Sequence, residues 1–144
     1  MSYKAHKIST NLYQGGLPPV GDALSRAGID VLVLCAADYQ NAAAYEGVEV
    51  ILAPGDDDAR PHRLKNFIDN WKSAAKQVAQ HVNDGKQVLV TCFAGQNRSG
   101  LVVALALGYL TNMSGKDIVD HIQKSRPHAL NNETFVDYII KNIE

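Results

Sequence analysis

The sequence has too little of several things to support the simplest alternatives. Two cysteines in 144 residues cannot make the disulfide framework of a small secreted domain, and they suit a reducing compartment. Charge of one sign is not in excess: 14 Lys and Arg against 15 Asp and Glu leave a net charge of −1. No general basic field therefore invites nucleic acid or a membrane surface, so nucleic acid is not expected as a partner. Long apolar runs are missing, so no membrane span is expected, and the start Met1-Ser2-Tyr3-Lys4-Ala5-His6-Lys7 lacks the apolar core of a secretory signal. The expectation is a cytoplasmic monomer. The five histidines, His6, His62, His81, His121 and His128, show no paired spacing of a zinc site, and neither metal nor cofactor is assigned. Internal repeats and low-complexity segments are absent as well.

What is present alternates between strand-like and helix-like patterns. A first strand fits residues 8–14, closed by the turn cluster Gly15-Gly16-Leu17-Pro18-Pro19, and a short helix fits 21–27 with Gly28 as its stop. Residues 29–35 form a continuous apolar run, the signature of a strand buried on both faces. A loop with room for one helical turn spans 36–46, another strand fits 48–52, and Pro54-Gly55 ends it ahead of Asp56, Asp57 and Asp58. From 62 to 82 apolar residues recur at three- and four-residue steps, which predicts one long amphipathic helix with Phe67 and Trp71 on its core stripe. A strand at 87–91 follows. Ser114-Gly115-Lys116-Asp117 resembles a capping box opening a helix to about 125, and a last helix fits 132–140. The sum is an α/β single domain over 1–144, with a central, mostly parallel sheet of about four to five strands flanked by helices.

The chemistry concentrates in Val88-Leu89-Val90-Thr91-Cys92-Phe93-Ala94-Gly95-Gln96-Asn97-Arg98-Ser99-Gly100, a strand, a glycine-containing loop and the start of an apolar helix. Amides of such a loop and of the first helical turn have no partners in their own helix, and they form a cup for anions. Phe93, Ala94, Gly95, Gln96, Asn97 and Arg98 supply the cup, and Arg98 adds a fork of donors matched to phosphate oxygens. The same field favours the thiolate of a cysteine at its mouth, so Cys92 is the candidate nucleophile. The bland alternative, a buried cysteine and a surface arginine, leaves the ordered strand–loop–helix unexplained.

Thr91-Cys92-Phe93-Ala94-Gly95-Gln96-Asn97-Arg98-Ser99-Gly100 resembles the phosphate loop of cysteine-dependent phosphatases, in particular the dual-specificity branch of the protein tyrosine phosphatase superfamily. Pro54-Gly55-Asp56-Asp57 resembles that family's general-acid loop. Arg126-Pro127 with Asn132 and Phe135 is similar to its segment after the active-site helix, and Leu12-Tyr13-Gln14-Gly15-Gly16 and Val33-Leu34-Cys35-Ala36 are similar to its opening strands. The pattern departs at Thr91, where the family usually has histidine.

The resemblance implies metal-independent hydrolysis of a phosphomonoester through a phosphocysteine, with Cys92, Arg98, Asp57 and Ser99 as catalytic residues and a phosphorylated protein or small phosphomonoester as partner. The family's spacing from Pro54 selects Asp57, with Asp58 and then Asp56 behind it. Mutual repulsion in the triplet favours keeping one carboxyl protonated. Ser99 would bond the cysteine sulfur or cap its helix. Asn132 would support the loop or cap the last helix, and Arg126 reads as a helix-end charge. Cys35 stands as a redox partner of Cys92 or as a packing residue. Tyr13, Tyr39 and Tyr45 could line an entrance. Other readings kept open are a phosphatase of a phosphoinositide, nucleotide or RNA end, and a non-catalytic phosphate-binding module. An arsenate reductase or sulfur-transfer enzyme of similar loop design ranks below them.

Overall fold

The alternating pattern closes into a five-stranded sheet in a computed structural model that describes residues 5–36 and 40–143. Strands β1 (Ala5–Ser9) and β2 (Leu12–Gly15) are antiparallel, whereas β3 (Val31–Leu34), β4 (Glu49–Leu52) and β5 (Val88–Thr91) run parallel, in the order β1-β2-β5-β3-β4. Strand β5, which carries the loop, therefore lies at the centre. Helices α1 (Ala23–Arg26), α2 (Pro61–Leu64), α3 (Ile68–Asn83), α4 (Arg98–Leu110), α5 (Gly115–Ser125) and α6 (Glu133–Asn142) complete the chain.

The strands alternate across the sheet as the pleat requires. Val31, Val33, Val88 and Val90 face the large cluster of α3 to α6, and Leu32, Leu34 and Leu89 face a smaller one with Leu24 of α1 and Tyr45. Helix α4 is the axis of the larger side. Its residues from Ser99 to Leu107 are all buried, so its apolar character runs around the whole helix rather than along one stripe. Its start is thereby fixed at the carboxyl end of β5.

Two expectations change. The single first strand at 8–14 is two strands joined by Thr10 and Asn11, where Asn11 takes φ 64°, a left-handed conformation that asparagine tolerates without glycine. The long helix at 62–82 is broken between α2 and α3, where Asn66 and Phe67 donate to Arg63 and Leu64 in three-residue turns. The apolar stripe continues across the break, which is why periodicity alone runs through it. The helical turn expected within 36–46 is present, as a 3-10 turn at Ala42–Ala44. Tyr13 and Tyr45 pack against the smaller cluster, and Tyr39 lies outside the described residues. Among the described residues no helix is long and apolar enough to cross a membrane.

Trp71 is fully buried, edge-on to Phe135 at 5.5 Å, and its Nε1 donates to the Ala53 carbonyl at 2.8 Å. Trp71→Ala should lower unfolding free energy by about 3–5 kcal/mol, read from urea denaturation.

Candidate active site

The loop after β5 is shaped from outside. The Phe93 carbonyl accepts from the Leu17 amide at 3.2 Å, and the Ala94 and Gly95 carbonyls accept from the Arg126 guanidinium at 3.2 and 2.6 Å. Gln14 Nε2 donates to the Gly95 and Gln96 carbonyls at 3.0 and 3.3 Å, the Leu130 amide to Gln96 at 3.1 Å, and the Leu101 amide to Asn97 at 2.8 Å. In a trans peptide the carbonyl and the next amide point in opposite directions. Five carbonyls held outward thus turn the amides of Ala94, Gly95, Gln96, Asn97 and Arg98 into the concavity. Gly95 is required at the tightest point, with φ 71° and a Cβ position only 2.4 Å from the Gly15 backbone.

Cys92 lies at the base of this cup, buried, with Sγ 3.2 Å from Ser99 Oγ. Ser99 is the second residue of α4, whose N-cap position is Asn97, and its hydroxyl makes the contact with sulfur weighed for it. Arg98 Nη1 donates to the Gly55 carbonyl at 3.3 Å, while its Nε is buried without a partner among the described residues. Beneath the cysteine, Thr91 Oγ1 donates to the Val33 carbonyl at 2.8 Å and accepts from Gln40 Nε2 at 2.7 Å. Gln40 Oε1 in turn accepts from the Ala36 amide at 2.9 Å. A neutral pair thus occupies the place of the absent histidine.

The aspartate triplet separates by partner. Asp56 pairs with Arg63, and Arg60 grips both oxygens of Asp58 at 2.7 to 3.2 Å, holding that carboxyl well below the usual carboxylate range. Paired charges of this kind correct the expectation that mutual repulsion governs the run. Asp57 alone reaches the loop: Oδ2 accepts from Asn97 Nδ2 at 2.9 Å and Oδ1 from Asn132 Nδ2 at 2.8 Å. Its segment is fixed by Gly55, where a Cβ would fall 2.2 Å from Trp71 Cζ2.

Asn132 caps the last helix, as one of the two roles weighed for it requires. Its Oδ1 caps α6 through the Thr134 and Phe135 amides, and its backbone amide donates to Asn97 Oδ1 at 2.8 Å. Its support of the loop therefore runs through Asn97 and Asp57 rather than onto the loop backbone. Sequence reasoning missed Gln14, and it read Arg126 as a helix-end charge where the structure shows a loop brace. The signal was a glutamine on a central apolar strand and an arginine beside a proline, neither of which names its partner.

Cys35 follows the last rung of β3, and its amide donates to the Thr91 carbonyl at 2.9 Å. With Leu34 paired to Thr91 in parallel register, Cys35 and Cys92 occupy successive positions on the same face, and both belong to the same buried cluster. Burial first, and then the neighbouring Cys92, push the Cys35 thiol up, against an opposing influence from Arg98.

Residues 12–142 match the family described as "Dual specificity phosphatase, catalytic domain". A protein tyrosine phosphatase PRL-1 of Leishmania major is 31% identical over 132 residues, covering 87% of this chain and 74% of that protein. Dual specificity protein phosphatase 12 of Rattus norvegicus is 26% identical over 135 residues, 91% of this chain, which spans 39% of its length. In fold, the crystal structure of Tk-PTP in the active form superposes with a TM-score of 0.77 at 22% identity, covering 97% of this chain and 95% of that one. Human DUSP28 gives 0.78 at 20% identity, covering 99% and 95%.

The raised Cys35 thiol has a pH consequence. Above the free-thiol value near ~8.5 the unfolded chain ionises Cys35 while the folded one does not, so its contribution to stability is full below that pH and is lost as pH rises. Unfolding free energy measured from pH 7 to 10 should fall less steeply in Cys35→Ala than in the wild type.

Proposed function

The chain belongs to the dual-specificity phosphatase catalytic-domain family, and from that premise we propose that it is a phosphomonoester hydrolase working through a phosphocysteine on phosphotyrosine and on phosphoserine or phosphothreonine in proteins. The observation that carries this reading is the cup itself: a cysteine sulfur at its base, five amides turned inward, and an Arg98 Nε without a partner among the described residues. Such an array stabilises the charge that spreads over three equatorial oxygens during phosphoryl transfer.

In the first step the Cys92 thiolate attacks phosphorus, the S–P bond forms, and the P–O bond to the leaving group breaks while Asp57 delivers its proton to that oxygen. Asp57 must give up an amide contact to do so. Asn97 Nδ2 keeps its other acceptor, Asn131 Oδ1 at 2.6 Å, so releasing Asp57 Oδ2 frees one of its two N–H hydrogens while the side chain stays anchored. In the second step Asp57 takes a proton from water as it attacks phosphorus, the S–P bond breaks, and Ser99 donates to the departing thiolate.

A protein or aryl phosphate is favoured over a highly charged inositol ring by the cup's lining. Phe93 is half exposed next to Cys92, and Gln96 and Asn97 stand where extra lysines would meet further phosphates. The placement of Cys35 supports its role as a resolving thiol. Peroxide would oxidise the Cys92 thiolate to a sulfenic acid, the Cys35 thiol would attack that sulfur with loss of water, and a thiol reductant would reverse the disulfide. Mild peroxide followed by mass spectrometry should yield a Cys35–Cys92 peptide; inactivation without it would leave Cys35 as packing.

Hydrolysis of para-nitrophenyl phosphate and of phenyl phosphate, without added metal, tests the main proposal. Cys92→Ser and Arg98→Ala should abolish turnover. Asp57→Asn should slow the phenyl ester by about 10²–10⁴, the worth of a general acid, and the nitrophenyl ester much less, because its leaving group needs little protonation. Asp56→Asn and Asp58→Asn should stay close to wild type. A folded wild type that binds vanadate and turns over neither ester would instead be a phosphate-binding module.

A further inference from the structure

We infer that Gln14 sets the direction of the Ser99 hydroxyl, aiming its proton at the Cys92 sulfur, which makes Gln14 a positioning residue for departure of the thiolate. The inference rests on the phosphatase reading and assigns a second-step role to a residue on a strand outside the loop.

The orientation of the Gln14 carboxamide is forced. The Gly95 and Gln96 carbonyls, 3.0 and 3.3 Å away, can only accept, so the nitrogen end must face them. That same Nε2 lies 3.3 Å from Ser99 Oγ. The two hydrogens of that nitrogen are shared among three acceptors, but an amide nitrogen cannot accept a proton, so the side of this oxygen that faces Gln14 is closed to the hydroxyl's own hydrogen. The proton is then left for the acceptor on the other side, Cys92 Sγ at 3.2 Å. A neutral thiol could reverse this contact, with sulfur donating to Ser99. A thiolate can only accept, so the Gln14 contact favours the arrangement in which sulfur carries the negative charge.

The surroundings hold the amide in place. Gln14 pairs with Val90 in the parallel β2–β5 ladder and is completely buried. Gly100 leaves the space it needs, since a Cβ there would come 3.3 Å from Gln14 Nε2. Gln14 Oε1 is buried without a partner among the described residues, a destabilising arrangement that an apolar side chain on this strand would avoid. Bracing the two carbonyls accounts for part of that cost. The contact with Ser99 gives the amide a function that a backbone brace does not have.

The test separates the two chemical steps. Rapid-mixing kinetics with para-nitrophenyl phosphate on wild type, Gln14→Met, Ser99→Ala and the double variant would resolve the burst of phosphocysteine formation from its breakdown. Gln14→Met should slow breakdown roughly ten- to a hundredfold, the worth of a hydrogen bond to a charged sulfur. In the Ser99→Ala background the same substitution should add less than about twofold, because the oxygen it acts through is gone. Equal slowing in both backgrounds, or a slower burst and weaker phosphate binding with breakdown unchanged, would overturn the inference and leave Gln14 a prop for the loop. A wild type with neither burst nor turnover would overturn the phosphatase reading itself, and this inference with it. If Gln14→Met does not fold, the isosteric Gln14→Glu replaces it. Its breakdown rate relative to wild type should recover toward acid pH, as a protonated carboxyl regains a donor, and a flat ratio would count against the role.

Discussion

The site depends on one constraint of the peptide group: a carbonyl and the next amide face opposite ways. Nothing inside the cup needs to hold its amides inward, because the carbonyls are held outward by donors from four separate places. These are the turn after β2 (Leu17), β2 itself (Gln14), the segments flanking α5 and α6 (Arg126 and Leu130), and the first turn of α4 (Leu101). The cup is therefore a property of the whole fold rather than of a seven-residue motif. Amides fixed in direction by the surrounding fold are what electrostatic stabilisation of a transition state requires.

The acid side is attached to the same frame by different means. Trp71 on α3 presses its ring against Gly55 and bonds the Ala53 carbonyl, while Asn97 and Asn132 hold Asp57 from the cup side. Arginines take the two flanking carboxylates: Arg63 binds Asp56, and Arg60 binds Asp58. Pairing thus sets Asp57 apart from its two neighbours. The flanking charges are neutralised locally, and Asp57, which has no ionic partner among the described residues, faces neutral amides.

Much of this was legible in the chain. Continuous apolar runs located the buried strands β3 and β5, and the strand–loop–helix order located the cup, because those patterns report burial and backbone geometry directly. The turn at Thr10-Asn11 was hidden because asparagine can do there what glycine announces, and the break between α2 and α3 was hidden because the apolar stripe continues through it. Long-range partners were the least legible. Gln14 lies 81 residues from the Gly95 carbonyl it holds, Asp57 lies 75 from Asn132, and no local pattern encodes either distance.

The buried polar side chains show why such partners belong together. Among the described residues these are Gln14, Gln40, Thr91, Asn97, Ser99 and Asn132, and all six bond within the cup, its strand or Asp57. A buried polar group is costly unless satisfied, so its concentration at one place marks where the fold gives up apolar packing for geometry. All six are also uncharged. A charged brace at Thr91 or Gln14 would add its own field to that of Arg98 at the sulfur, whereas amides and hydroxyls fix direction with little net charge. The positive field at Cys92 is then left to the inward amides, the start of α4 and Arg98, and its strength does not depend on the titration of these six supports.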